Sequence, residues 1–305
     1  MSNPFSAFHV SLPATSANLG PGFDSFGLAL KLYNRFAVAP ADAFAVQISG
    51  YSDTELEHPE SNLVFGIYKQ VCRANGWQAT PFSLHNHNDI PLYGGIGSSA
   101  AAIVAGIVIA GRIHAADWGK NDLLQIAFGF ENHLDNIAAA IFGGFVVTSY
   151  KGDSHNTPLV LRKEINAPLC AWILSPHLRV ATSASRIAMP TRIGYDDAVF
   201  NLAHAAQLAL AFERQDWSLL GACMQDKLHQ PYREESCAGL LKLEAELRRA
   251  GAYAMALSGS GPAALVLCDA PNEAMQTLVK KHMQAQHLEY TSLPLGVDNT
   301  GVSYS

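Results

Sequence analysis

The chain has 305 residues, of which 49% are hydrophobic and 15% charged, with a formal net charge of -6. This composition predicts a large apolar core in two domains and speaks against a disordered polymer. The acidic balance, without any arginine-rich run, speaks against nucleic acid as a partner; five scattered cysteines with no CxxC pair speak against a zinc site or a secreted disulfide framework and fit a reducing cytoplasm.

Residues 1–11 lack a charged n-region and a long apolar run, so no signal peptide is expected. Residues 8–12 read as a short strand. A turn-rich loop follows over 13–23, with Gly20-Pro21-Gly22 at its tip. Strand-like patches come at 28–38 and 44–48, where Val46 and Ile48 alternate as in a half-buried strand. Val64, Ile67, Tyr68 and Val71 recur at helical spacing and predict a helix over 63–74. Another strand is expected at 82–85, extending toward Ile90. An apolar helix is expected from 98 to 115, and a further one over 121–129, capped by Asn121 or Asp122. Residues 145–150 read as a strand, and the polar stretch after them, up to Pro168, as the domain boundary. The domains are then 1–167 and 168–305. Strands are expected at 171–174, 180–182, 254–257 and 263–268. Helices are expected at 197–212, 217–224, 240–250 (ended by Gly251) and 272–286. Helices and strands interleave without strict alternation, which argues for an α+β class rather than a doubly wound sheet.

Residues 90–111 contain no charged side chain. Pro91, Gly94, Gly95 and Gly97 confine regular helix to the later part, short of the roughly 20 residues that span a bilayer. A helix that is apolar all round is then a buried core helix, and no membrane partner is expected. The sequence ahead of it, Pro91-Leu92-Tyr93-Gly94-Gly95-Ile96-Gly97-Ser98-Ser99-Ala100-Ala101-Ala102, carries the strongest chemical signal in the chain. Glycines let the backbone approach a ligand closely, and the helix start supplies unpaired N–H groups and partial positive charge. Together they predict a phosphate cradle, with serine hydroxyls placed to meet a nucleotide-borne magnesium ion. The pattern is neither G-x-x-x-x-G-K-[ST] nor G-x-G-x-x-G. The bland alternative is a glycine-rich turn that merely starts a buried helix.

Three further blocks accompany this loop. They are Pro13-Ala14-Thr15-Ser16-Ala17-Asn18-Leu19-Gly20-Pro21-Gly22-Phe23-Asp24, then Glu131-Asn132-His133-Leu134-Asp135-Asn136, then Leu257-Ser258-Gly259-Ser260-Gly261-Pro262-Ala263. The four blocks, in this order, resemble the GHMP kinase superfamily over nearly the whole chain. The first block, the His-x-Asp-Asn unit and the triplet Pro231-Tyr232-Arg233 resemble the homoserine kinase family in particular. The resemblance implies an N-terminal α/β nucleotide-binding domain and a C-terminal ferredoxin-like domain. It implies ATP and Mg2+, transfer of the γ-phosphoryl group to the hydroxyl of L-homoserine in threonine synthesis, and a homodimer. Other readings stay open: a related kinase acting on a mevalonate-type alcohol, or a ligand-binding relative without catalysis.

The resemblance also implies roles for single residues. Pro91, Gly94, Gly95, Ile96, Gly97, Ser98, Ser99, Ala100 and Ala101 belong to the nucleotide loop. Gly259, Ser260 and Gly261 support the phosphates or the cleft wall, or else form a hairpin turn. Asn62 lies near the adenine, or caps a helix, or both. Ser98 or Ser99, with Glu131, are the magnesium ligands. Arg186 and Arg233 match two carboxylate-binding arginines, a function that suits a planar bidentate fork. Asn18 and Asp24 match contacts on the ammonium side, though both residue types also suit turns. His133, Asp135 and Asn136 surround the reacting hydroxyl, where Asp135 either aligns the substrate or acts as a base; Asp135, Asn136 and Arg186 form the catalytic set. Four departures from the family pattern stand out. Tyr93 occupies a position often held by glycine, and Ile96 replaces the usual leucine. His87-Asn88-Asp89-Ile90 lacks a common lysine. His-Leu-Asp-Asn stands for the commoner His-Pro-Asp-Asn.

Overall fold

The structure, a computed structural model, describes residues 5–54, 56–153, 157–178, 187 and 189–305. Two sheets organise it. The first is built from β1 (Phe8–Ala17), β2 (Phe26–Pro40), β3 (Ala45–Gly50), β4 (Phe82–Asn88), β5 (Phe145–Tyr150), β6 (Pro158–Lys163) and the terminal β11 (Ser303–Tyr304). Its path runs β11-β1-β2-β4-β3, with β5 joining β2 and β6 joining β5. Only the β3–β4 pair is parallel.

Four helices accompany this sheet: α1 (Leu63–Ala74), α2 (Ser98–Ile113), α3 (Lys120–Phe128) and α4 (Leu134–Phe142). α2 buries twelve of its sixteen residues. Its isoleucines and valines each contribute roughly 1.5–3 kcal/mol by leaving water. α1 packs closely on it because Gly106 has no side chain: a Cβ there would lie 2.7 Å from Ile67 Cβ and 2.8 Å from the Val64 carbonyl oxygen. No helix among the described residues is long and apolar enough to cross a membrane.

The second sheet holds β7 (Cys170–Pro176), β8 (Ala254–Leu257), β9 (Ala264–Cys268) and β10 (Tyr290–Gly296) in the order β10-β7-β9-β8, all antiparallel. Helix α5 (Tyr195–Arg214) and shorter helical pieces lie between β7 and β8, and the Glu273–Ala285 helix lies between β9 and β10. This βαββαβ arrangement is ferredoxin-like. β8 and β9 are buried throughout, because both faces of the sheet are covered. Ala171, Ile173, Leu265 and Leu267 face the main core with Phe212 of α5, whereas Trp172, Leu174, Val266 and Met255 face a second core with Met275 and Val279. The chain then returns: Val297 bridges to Leu30, and β11 pairs with β1.

Several predicted boundaries are corrected. Residues 13–17 are strand rather than loop, with a register shift between Pro13 and Ala14 that admits the proline into the ladder. β6 escaped the sequence reading because it is a half-exposed edge with Leu161 turned to solvent. The N-cap of α3 is Gly119, and Asp122 reaches back to accept from its N–H at 2.8 Å. The predicted 217–224 helix is a 3-10 turn (Trp217–Leu219) followed by one α turn (Leu220–Cys223), and the predicted 240–250 helix likewise divides into Leu240–Leu243 and Glu244–Arg249. The strand expected at 180–182 lies outside the described residues.

Candidate active site

The sequence blocks converge on one cleft of about 860 Å3. Backbone and hydroxyl contacts pin three of them together. Thr15 N–H donates to the Ile96 carbonyl at 3.1 Å, and Gly259 N–H to the Ala17 carbonyl at 3.1 Å. The Ser258 hydroxyl donates to the Gly95 carbonyl at 2.8 Å and lies 2.9 Å from Ser16 Oγ. These partners explain why Thr15, Ser16 and Ser258 are fully buried despite their polarity.

The glycine loop depends on two glycines. Gly95 and Gly97 adopt φ of +71° and +79°, the left-handed region. A Cβ at Gly95 would lie 2.6 Å from the Gly261 carbonyl oxygen, and one at Gly97 would run into the Thr15 hydroxyl. The loop therefore packs against the first and third blocks and opens into the cleft at the start of α2. Gly94, Gly95, Gly97, Ser98, Ser99 and Ala100 line the cleft. Pro91, Ile96 and Ala101 do not: Pro91 faces a smaller neighbouring cavity, and Ile96 and Ala101 are core residues. Asn62 also lies behind the wall. It caps α1, accepting from Val64 N–H at 3.0 Å and donating to the Leu56 carbonyl at 2.9 Å, and is 2% exposed. Its side chain thus serves the helix cap, one of the two readings the sequence offered, while its neighbours Ser61 and Leu63 line the cleft.

Asn18, Asp24, Glu131, His133, Asp135, Asn136 and Arg233 line the same cleft, with Gly259, Ser260 and Gly261. Asn18 uses both ends of its amide within the protein: Nδ2 donates to the Gly259 carbonyl at 2.8 Å, and Oδ1 accepts from Asp24 N–H at 2.9 Å. His133 Nδ1 lies 2.6 Å from Glu131 Oε1, and its Nε2 lies 4.0 Å from Asp24. Asp135 occupies the first turn of α4, where the helix dipole favours a carboxylate. Its Oδ1 accepts from Asn136 N–H at 2.6 Å, and Asn136 Oδ1 accepts from the Thr15 hydroxyl at 2.7 Å. Burial pushes the Asp135 carboxyl up to about 6 against the pull of that N–H; Asp24 pushes further and His133 opposes. Arg233 is 3% exposed and its guanidinium carbon lies 5.2 Å from the Phe23 ring centroid. Arg186 lies outside the described residues.

Ser98, Ser99 and Glu131 line the same cleft and carry hard oxygen donors, the kind that suits magnesium. Among the described residues no group of three His, Cys, Asp or Glu forms a site for a metal bound by protein alone. Sequence reasoning missed Asp53, Leu56, Ser61, Leu63 and Tyr93 as cleft residues. Tyr93 carried a signal in its departure from glycine. It holds φ of +58°, and its hydroxyl donates to Asp53 at 2.7 Å across the cleft mouth.

The chain matches the family models described as GHMP kinases N terminal domain, over residues 62–144, and GHMP kinases C terminal, over 208–285. It is 34% identical over 297 residues to a homoserine kinase of Helicobacter hepaticus, covering 96% of this chain and 98% of the relative. It is 39% identical over 257 residues to a homoserine kinase of Aquifex aeolicus, covering 83% and 84%. The chain belongs to the homoserine kinase family of GHMP kinases. The crystal structure of a family member from Cytophaga hutchinsonii superposes with a TM-score of 0.83 at 27% identity, covering 100% of this chain and 99% of that one. The two-domain α+β architecture is therefore that of the family. Kinase chemistry, with ATP as phosphoryl donor, comes with it.

Proposed function

We propose that the cleft transfers the γ-phosphoryl group of ATP to the side-chain hydroxyl of L-homoserine, giving O-phospho-L-homoserine and ADP for threonine biosynthesis. The observation that carries this reading is the lining of one cleft. That cleft is lined both by a glycine-rich helix start suited to phosphate and by a buried arginine together with carboxylates and an imidazole. Phosphoryl transfer is governed by positioning and charge neutralisation rather than by covalent help from the protein. The N–H groups of residues 94–99 suit the triphosphate. Ser98 or Ser99, with Glu131, would hold Mg2+, which when bound neutralises phosphate charge. Arg233, with Arg186, suits the substrate carboxylate, and Asp24 the ammonium. Asn18 acts by fixing Asp24. His133, Asp135 and Asn136 surround the hydroxyl, with Asp135 aligning it.

The same reading takes the domains as 1–167 and 168–305, and the working form as a cytoplasmic homodimer, as family kinship implies. The test is ADP release with ATP and Mg2+ across L-homoserine, L-threonine, L-serine, mevalonate and galactose. Activity confined to L-homoserine, and lost on chelation, is the expected result. Preference for mevalonate or galactose would overturn the roles of Arg233 and Asp24. ATP binding without turnover on any of the five would favour a ligand-binding relative.

A further inference from the structure

The loop carrying Asn18 and Asp24 is fastened to the segment carrying Arg233 by one buried imidazole. His229 is fully buried, and its Nε2 lies 2.8 Å from the Gly20 carbonyl oxygen. A carbonyl only accepts, so the proton sits on Nε2 and Nδ1 is a bare acceptor. That Nδ1 is shut away from solvent and has no hydrogen-bond partner among the described residues. A buried nitrogen left unpaired is unfavourable. The ring is therefore held where it is by its other contacts and not by a full complement of hydrogen bonds.

Besides the buried Asp226 Oδ2, 3.6 Å from the same Nε2, those contacts lead toward Arg233, which lines the cleft. The Phe23 ring stacks on the imidazole, with centroids 5.1 Å apart and planes 24° from parallel. The Arg233 guanidinium carbon lies 5.2 Å from that same Phe23 ring. A second fastening runs through Asn201, whose Nδ2 lies 2.8 Å from Asp226 Oδ1 and 3.4 Å from the Pro21 carbonyl oxygen. Asp226 in turn accepts from the N–H groups of Leu228, His229 and Gln230 at 3.0, 3.0 and 2.7 Å, which sets the entry to the short Gln230–Arg233 helix. Gly20 leaves no slack, because a Cβ there would strike the Met224 carbonyl.

We propose that His229 is a positioning residue that locks the 18–24 loop and Arg233 into one unit, so that the spacing between the ammonium and carboxylate contacts is fixed by a clamp between distant parts of the chain. The inference rests on the substrate reading given above. An amino acid presents its two charged groups at a fixed separation. A displacement of about 1 Å in either contact suffices for roughly a hundredfold loss.

The test uses His229→Phe, which keeps the stacking ring and removes the donor, and His229→Gln, whose amide Nε2 restores a donor at similar reach. His229→Phe is expected to raise KM for L-homoserine about tenfold, with KM for ATP held within about twofold, since one buried carbonyl loses its partner. His229→Gln is expected to stay within about threefold of the unaltered protein. A parallel rise in both KM values, or Phe and Gln variants that behave alike, would overturn the proposal. Should His229→Phe fail to fold, Phe23→Leu removes the stack from the other side, with the same split expected. Amide hydrogen exchange gives a readout independent of activity. Residues 18–24 and 226–233 should loosen together in His229→Phe while 94–101 stay protected. Loosening of one segment alone overturns the clamp, even if the protein proves inactive on L-homoserine, a result that would overturn the substrate reading instead.

Discussion

Replacing Asp135 by asparagine should make the protein more stable and less active, and the stability gain should depend on pH. Asp135 is 3% exposed, and burial raises its carboxyl from the usual 3.8 to about 6. A shift of that size corresponds to about 3 kcal/mol of folding free energy that the ionised carboxylate forgoes in the folded protein. Because the folded value lies above the unfolded one, the favourable contribution is complete below about pH 4 and is lost as the pH rises through about 6. Asparagine keeps an oxygen for the Asn136 N–H, which Asp135 now binds at 2.6 Å. The variant should therefore be more stable by about 1–3 kcal/mol at pH 8, and the difference should shrink toward zero at pH 4. In thermal melts of a 305-residue chain each kcal/mol appears as roughly 1.5–2 °C. Turnover should fall by about a hundredfold through lost alignment of the hydroxyl. A variant that melts lower at pH 8, or a difference that does not vary with pH, would refute this reasoning. The same series separates the two roles considered for Asp135. An acid limb near pH 6 that disappears in the variant would mark base catalysis; one that persists in the residual activity leaves Asp135 an aligning residue.

Three other substitutions probe the rest of the cleft. Gly97→Ala places a methyl against the Thr15 hydroxyl at a φ of +79°. It should raise KM for ATP more than about tenfold, as a misplaced phosphate loop requires; an unchanged KM for ATP would remove the loop from the phosphate site. Arg233→Lys exchanges a bidentate fork for a point charge, so KM for L-homoserine should rise about 10–100-fold with little change for ATP. Equal losses for both substrates would deny Arg233 its carboxylate role. Tyr93→Gly relieves a positive φ of 58° but loses the 2.7 Å contact with Asp53. These effects are each worth about 1 kcal/mol and oppose one another, so chemical denaturation should shift by less than about 1 kcal/mol. A loss of several kcal/mol would show that the tyrosine ring is held by more than that one bond.

The sequence disclosed what repeats or caps locally and concealed what depends on distant partners. α1 was legible from its apolar spacing and from Asn62, which does cap it. The glycine loop and α2 were legible because only a glycine-rich turn followed by an uncharged run fits a buried helix start. Residues 13–17 read as loop because Pro, Thr and Ser are poor signals for a buried strand. They become one only when Ser258, Asn136 and the bulge at Pro13 satisfy or absorb their irregularities. Asp53 and Tyr93 lie forty residues apart. Nothing local to either indicates that they meet at the cleft mouth. The raised pKa of Asp135 was equally hidden, since it arises from burial in the folded protein. The clamp at His229 was hidden too, because an isolated histidine in a sequence gives no sign that it holds a loop 209 residues away.

The most direct test of the account is to identify the phosphorylated product. A phosphorus NMR spectrum of the protein with ATP, Mg2+ and L-homoserine should show a new phosphate monoester growing in step with ADP, on the side-chain oxygen of the amino acid. Inorganic phosphate as the sole partner of ADP, or no ADP at all, would contradict the assignment of this cleft to transfer onto that hydroxyl.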